Sequence, residues 1–325
     1  MVHDTPLLVR LMTLIDDLPL PPSAPPGRGR PVVYGDRLFL KAVVLMVVRR
    51  LPTVHALLAV LAEPEMEPVR ATLTLADGRY PARRTWERRL GALPDTLPAL
   101  IALLGAHLVA LLDPWAEGGR AVAIDSTVLA AKGGVWHKKH REAGVVPHTS
   151  IDTEAHWTKS GWHGWVYGWK LHLLVTVAAV WIPLAADLTP ANVADNEHAP
   201  VLLEATPLEG LFVLGDTSYN DPAVRDHCAA RGRTLVASKR GAYPHTDDGV
   251  AVRRIFHELR SRAIENFNGQ FKGIFDAHGP VPTRGVRNTR RFALGAVLVY
   301  QLALLHCSLT ARDLRVGLKP LLQAA

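Results

Sequence analysis

Apolar residues recur at steps of three and four along residues 36–50, 53–62, 81–90 and 94–112, the spacing that puts one greasy stripe on each of four helices. Before them, residues 19–31 hold six prolines with Gly27 and Gly29, which cannot sustain a helix or a central strand and predict a linker or extended arm. The first third is therefore expected to be all-helical. After residue 120 the texture changes. Short β-rich runs occupy 121–124, 170–178, 181–187, 211–214 and 234–237, with helical patterns at 195–205 and 221–231 between the later ones. Strands two and three are close enough for an antiparallel hairpin, and the next two connections each cross over through a helix. The pattern predicts an α/β domain with a mixed five-stranded sheet flanked by helices. The boundaries expected are a helical region at 1–117, the α/β domain at 118–310 and a short tail at 311–325. No internal repeat is visible.

Late in the chain, 255–275 reads as one amphipathic helix with a buried stripe of Phe256, Leu259, Ala263, Phe267, Phe271 and Ile274. Residues 292–309 are apolar apart from Gln301, His306 and Ser308, which predicts a buried terminal helix rather than a membrane span.

Composition adds a partner. The 325 residues carry a net charge of +7, and from Arg225 to Arg291 there are 14 Lys/Arg against 6 Asp/Glu, so a basic surface and a polyanionic partner are expected. Lys239 and Arg240 in this stretch, and Lys170 on the second strand, are candidate DNA contacts. Arg83, Arg84 and Arg88 surround Trp86 on the third helix, a context compatible with a helix-turn-helix reader; a solvated arginine face is the alternative. Cys228 and Cys307 are the only cysteines, which excludes a disulfide framework and a cysteine zinc site. The N-terminal Met-Val-His-Asp-Thr-Pro has an acid where an export signal carries positive charge, so a cytoplasmic location is expected.

The chemistry rests on three acids. Asp125 follows Val122-Ala123-Ile124 and Asp216 follows Phe212-Val213-Leu214-Gly215, so both are expected beyond the carboxyl ends of strands, where sites form in such sheets. On the late helix Glu265 shares a face with Arg262 and Lys272, with Glu258 in reserve. Hard cations prefer carboxylate oxygens, and a pair of Mg2+ ions, or Mn2+ in their place, can activate the attacking oxygen and stabilise the leaving one in phosphoryl transfer. Arg262 and Lys272 would hold phosphates nearby. The loop 128–166 mixes Lys132, His137, Lys138, Lys139, His140 and Arg141 with tryptophans. It suits phosphate contact with stacking on an unpaired base through Trp157 and Trp162, although tryptophan in a β-rich region is also ordinary core.

At these residues the chain resembles the DDE transposases of bacterial insertion sequences. The matching stretches are Ala123-Ile124-Asp125-Ser126-Thr127, Tyr167-Gly168-Trp169-Lys170-Leu171-His172, Thr189-Pro190-Ala191-Asn192 with Asp195, Leu214-Gly215-Asp216-Thr217-Ser218-Tyr219, and Ile264-Glu265-Asn266-Phe267 through Lys272. The resemblance implies a ribonuclease-H-like core and metal binding by Asp125, Asp216 and Glu265. It also implies a phosphate-contacting Lys272, DNA as partner, strand cleavage and transfer at element ends, and a homodimer on paired ends. Ser218 stands where relatives commonly have glycine. A nuclease that does not join strands, and a catalytically silent DNA-binding derivative, are the alternatives.

Overall fold

Helices build the first part of the chain because each apolar stripe there is buried against its neighbours, the late helices and the sheet. The computed structural model describes residues 5–21, 33–115, 120–161, 164–208, 211–237, 247–314 and 317–324. Its opening helices are α1 (Thr5–Thr13), α2 (Asp36–Val48), α3 (Val54–Leu61), α4 (Glu67–Thr72), α5 (Arg83–Ala92) and α6 (Leu97–Leu112). Thr53 starts α3 by accepting a hydrogen bond from the Ala56 amide at 3.1 Å, satisfying one of the free donors of the first turn. Helices α1 and α4, absent from the sequence expectation, are nine and six residues long. Most of the proline-rich stretch lies outside the described residues.

The sheet has six strands, one more than expected: β1 (Ala121–Ala130), β2 (His156–Ser160), β3 (Gly164–Thr176), β4 (Pro183–Pro190), β5 (Phe212–Leu214) and β6 (Thr234–Val236). Leaving β2 aside, the order is β4-β3-β1-β5-β6, in which only β3 runs against the others. This is the ribonuclease-H-like arrangement. The additional strand arises because β3 begins at Gly164 rather than residue 170, and its first residues pair with β2 from His156↔Gly168 to Ser160↔Gly164. A short helix, α7 (Lys138–Glu142), lies in the preceding loop, and α8 (Asp195–Ala205) and α9 (Pro222–Ala229) make the two crossovers.

The late helix is interrupted. It consists of α10 (Asp247–Arg260), a π-helical turn at Ser261–Glu265 and α11 (Asn266–Ile274), and it is followed by α12 (Val286–Leu309) and α13 (Lys319–Ala324). Of the expected stripe, Phe256, Ala263, Phe267 and Phe271 are buried, whereas Leu259 is 44% exposed and Ile264 is buried instead. The wide turn shifts the helical phase, so a stripe counted at 3.6 residues per turn misplaces residues around it.

One contiguous apolar cluster runs from the first helices into the sheet. Helix α12 is its axis, packed on α2, α6 and β4. It is long and apolar enough to cross a membrane, but 89% of its most apolar window is buried in protein, as a core helix requires. Gln301 shows how its polar residues are tolerated: the side-chain amide donates to the carbonyls of Ile101 and Pro183, both at 2.8 Å.

Candidate active site

Strand register brings the two aspartates together. Ala123 of β1 pairs with Leu214 of β5 in parallel, and Asp125 and Asp216 each lie two residues further along. Side chains alternate with period two and adjacent strands are about 4.8 Å apart, so the two carboxylates rise side by side from one face. Asp125 does not follow a strand, as the sequence pattern had it. It sits inside β1 opposite Leu173, because pairing with β3 continues to Ala130. Asp216 does follow β5, and its carboxylate accepts from the Ser218 amide at 2.8 Å, opening a 3-10 turn.

That turn delivers Tyr219, which is 1% exposed and packs so closely on Gly215 that a Cβ there would meet the tyrosine Cβ at 2.8 Å. Burial pushes the Tyr219 phenol well up, and the charges of Asp125, Asp195 and Asp216 push it further, so it stays protonated. Its hydroxyl has no hydrogen-bond partner among the described residues.

Glu265 arrives from the other side. The π-helical turn that carries it packs on β1, the strand of Asp125, and on β3. Its carboxylate is held by Arg260 at 2.9 Å and by the Ser261 hydroxyl at 2.8 Å. Arg260 also reaches Asp125, at 3.8 Å, and so bridges two of the three acids. The Asp125 carboxyl is raised to about 7, first by burial and then by Asp216 and Asp195, against the opposing pull of the Ser126 amide and Arg260. The reserve candidate Glu258 is paired with Arg262.

All three candidates are carboxylates, the ligands hard divalent cations prefer, and Asp125 sits where any added cation would lower its energy. In kind the residues fit a metal. As they stand they are not gathered into a metal-binding group among the described residues, since Glu265 is turned to Arg260 and Ser261.

The sequence of residues 116–302 matches the family model for the transposase DDE domain, more than half of the chain. The chain belongs to the DDE transposases. Among solved structures it is similar to a piggyBac transposase in a synaptic complex with hairpin DNA, with 8% identity, a TM-score of 0.43 and coverage of 99% of this chain and 80% of that one. It also matches the Mos1 transposase in a paired-end complex with left transposon end, with 13% identity, a TM-score of 0.23 and coverage of 88% and 82%. No curated protein matches the chain.

Around the acids of this DDE domain, the expected phosphate contacts divide. Arg262 is 73% exposed beyond its pairing with Glu258, and Lys272 is half-buried, with its ammonium pKa lowered by that burial. Lys170 does not face solvent: only 12% of its side chain is exposed, and it donates to Asp195 at 3.1 Å and to the Val193 carbonyl at 2.9 Å. The turn into α8 claims it. Lys239 and Arg240 lie outside the described residues, as does Trp162. On α5, Arg83, Arg84 and Arg88 are exposed while Trp86 and Leu90 are buried, and Arg83 is paired with Glu87 at 2.8 Å. Trp157 is half-buried and donates to the Trp136 carbonyl at 2.9 Å, which is a packing role. Among the described residues the loop histidines form no metal group with other ligands.

Two features escaped the sequence reading. Arg260 was hidden because it lies five residues before Glu265, a spacing that no α-helical face brings together. Below the sheet, His172 of β3, with its pKa lowered to about 3 first by burial and then by His198 and Lys170, bonds Thr189 at 2.7 Å and packs at a tilt against His198, ring centres 4.5 Å apart. His198 and Arg290 in turn meet Asp187 at 3.1 and 2.6 Å, so a polar network ties α8, β4 and α12 beneath the site.

Proposed function

We propose that this chain is an insertion-sequence DNA transposase whose Asp125, Asp216 and Glu265 hold divalent magnesium, or manganese in its place, and that it cleaves element ends and joins them to target DNA. The observation that carries the reading is the parallel register of β1 and β5, which gives Asp125 and Asp216 matching positions on adjacent strands, with the turn bearing Glu265 packed on β1. When bound, the metal supplies charge neutralisation and an activated oxygen nucleophile at phosphorus. The chain's own part is to position. Its strands fix the aspartates, and the 3-10 turn fixes Tyr219 beside them. Arg262 and Lys272, which flank Glu265 in the sequence, are assigned to phosphate contacts, with Arg83, Arg84 and Arg88 as a separate basic face in the helical N-terminal region. Pairing of two ends by a homodimer completes the proposal.

The test is an assay of labelled element ends with a target plasmid and Mg2+. Full-length protein is expected to give both cleaved ends and joined products, and Asp216→Asn or Glu265→Gln to lose both while still retarding end DNA in a gel. Cleavage without joined product would make the protein a nuclease instead, and retained joining in either variant would contradict the assignment.

A further inference from the structure

Arg260 and Glu265 are five residues apart, and on a regular α-helix they would point about 140° away from each other. They meet because the intervening turn is π-helical, the form whose repeat brings residues i and i+5 together. The same guanidinium lies 3.8 Å from Asp125, and only 14% of its side chain is exposed. Ser261 adds a second bond to Glu265, so the glutamate is fixed at both oxygens by residues of its own helix. Three acids that would hold a cation are thus found with one already among them, supplied by the chain.

We propose that Arg260 is a built-in counter-ion. Without metal it neutralises Asp125 and holds Glu265 out of the metal-binding group, and divalent ions bind by displacing it, with the π-helical turn as the element that yields. Two like charges cannot share so small a space cheaply, so binding of the ion and retention of the guanidinium exclude each other. A consequence is weak metal affinity in the DNA-free chain, with the site assembling only when the arginine has somewhere else to go. The inference rests on the carboxylate site of the proposed function.

The experiment is isothermal titration of the full-length, DNA-free chain with Mn2+. Arg260→Gln keeps the length and removes the charge, and is expected to tighten binding about tenfold. Arg260→Lys, which keeps the charge, is expected to stay nearer the wild type. Unchanged or weakened binding in Arg260→Gln overturns the proposal, as does equal tightening in both variants. If Arg260→Gln does not fold alone, rescue of its folding by Mn2+ supports the counter-ion role, and failure of Mn2+ to rescue it overturns the proposal. Asp125→Asn separates the two levels: wild-type binding there would refute the carboxylate site itself, and the counter-ion with it, whereas lost binding there with no tightening in Arg260→Gln would refute only the role of Arg260.

Discussion

Replacing Asp125 by asparagine should make the metal-free protein more stable at alkaline pH while removing one of the three proposed metal ligands. The folded-state carboxyl is raised to about 7 from an ordinary 3.8, chiefly by burial. Between those values the folded chain keeps a proton that the unfolded chain has lost. Asp125 therefore leaves stability intact below pH 3.8, erodes it as pH rises towards 7, and costs its full amount above that. A shift of this size corresponds to a ceiling of ~4 kcal/mol. Because 22% of the side chain still meets solvent, we expect about 2 kcal/mol. Asparagine keeps the acceptor that takes the Ser126 amide at 2.8 Å and carries no charge to desolvate. Urea unfolding of both proteins in chelator at pH 4 and pH 8 measures the difference. The variant should gain about 2 kcal/mol over wild type at pH 8 and little at pH 4, and Mn2+ should restore stability to the wild type alone. The comparison cancels His172, which titrates in the opposite sense. Equal stability of the two proteins at pH 8, or a gain of the same size at both pH values, would refute the argument.

The His172 imidazole, with its pKa lowered to about 3, should remain neutral from pH 5 to 8 by ring nitrogen NMR; its contribution is intact above pH 6.5 and is lost as pH falls towards 3. A ring that charges near pH 6.5 would contradict the buried network. Arg233, 4% exposed, donates to the carbonyls of Leu203, Thr206 and Leu208 at the end of α8, so Arg233→Ala should cost about 3 kcal/mol in urea unfolding by leaving buried acceptors unmet. Gly168→Ala places a Cβ 2.0 Å from the Leu129 carbonyl oxygen and should lose about 2 kcal/mol or more, whereas Gly161→Ala, with nothing within 4 Å, should be near neutral by thermal melting.

Much of the scaffold could be read from the chain alone, because burial imposes periodicity. Four of the six helices of the first third, both crossover helices and the five core strands follow from apolar spacing, whereas the end of β1 and the start of β3 each moved by six residues because pairing decided them. The candidate acids were legible because strand-end runs such as Phe212-Val213-Leu214 announce what comes after them. Pairing is a property of two strands, and so the sequence reading stopped β1 at Ile124 and left out β2; only the partner β3 shows that both extend. The same holds for charge. Lys170 looked like a DNA contact until α8 brought Asp195 to it, and Arg260 drew no attention in the sequence because only a π-helical turn, invisible to any fixed period, sets it between Asp125 and Glu265. A sequence specifies which residues must be buried and roughly how each segment coils. Which charges meet depends on register and helical phase, and those are decided only when the elements pack.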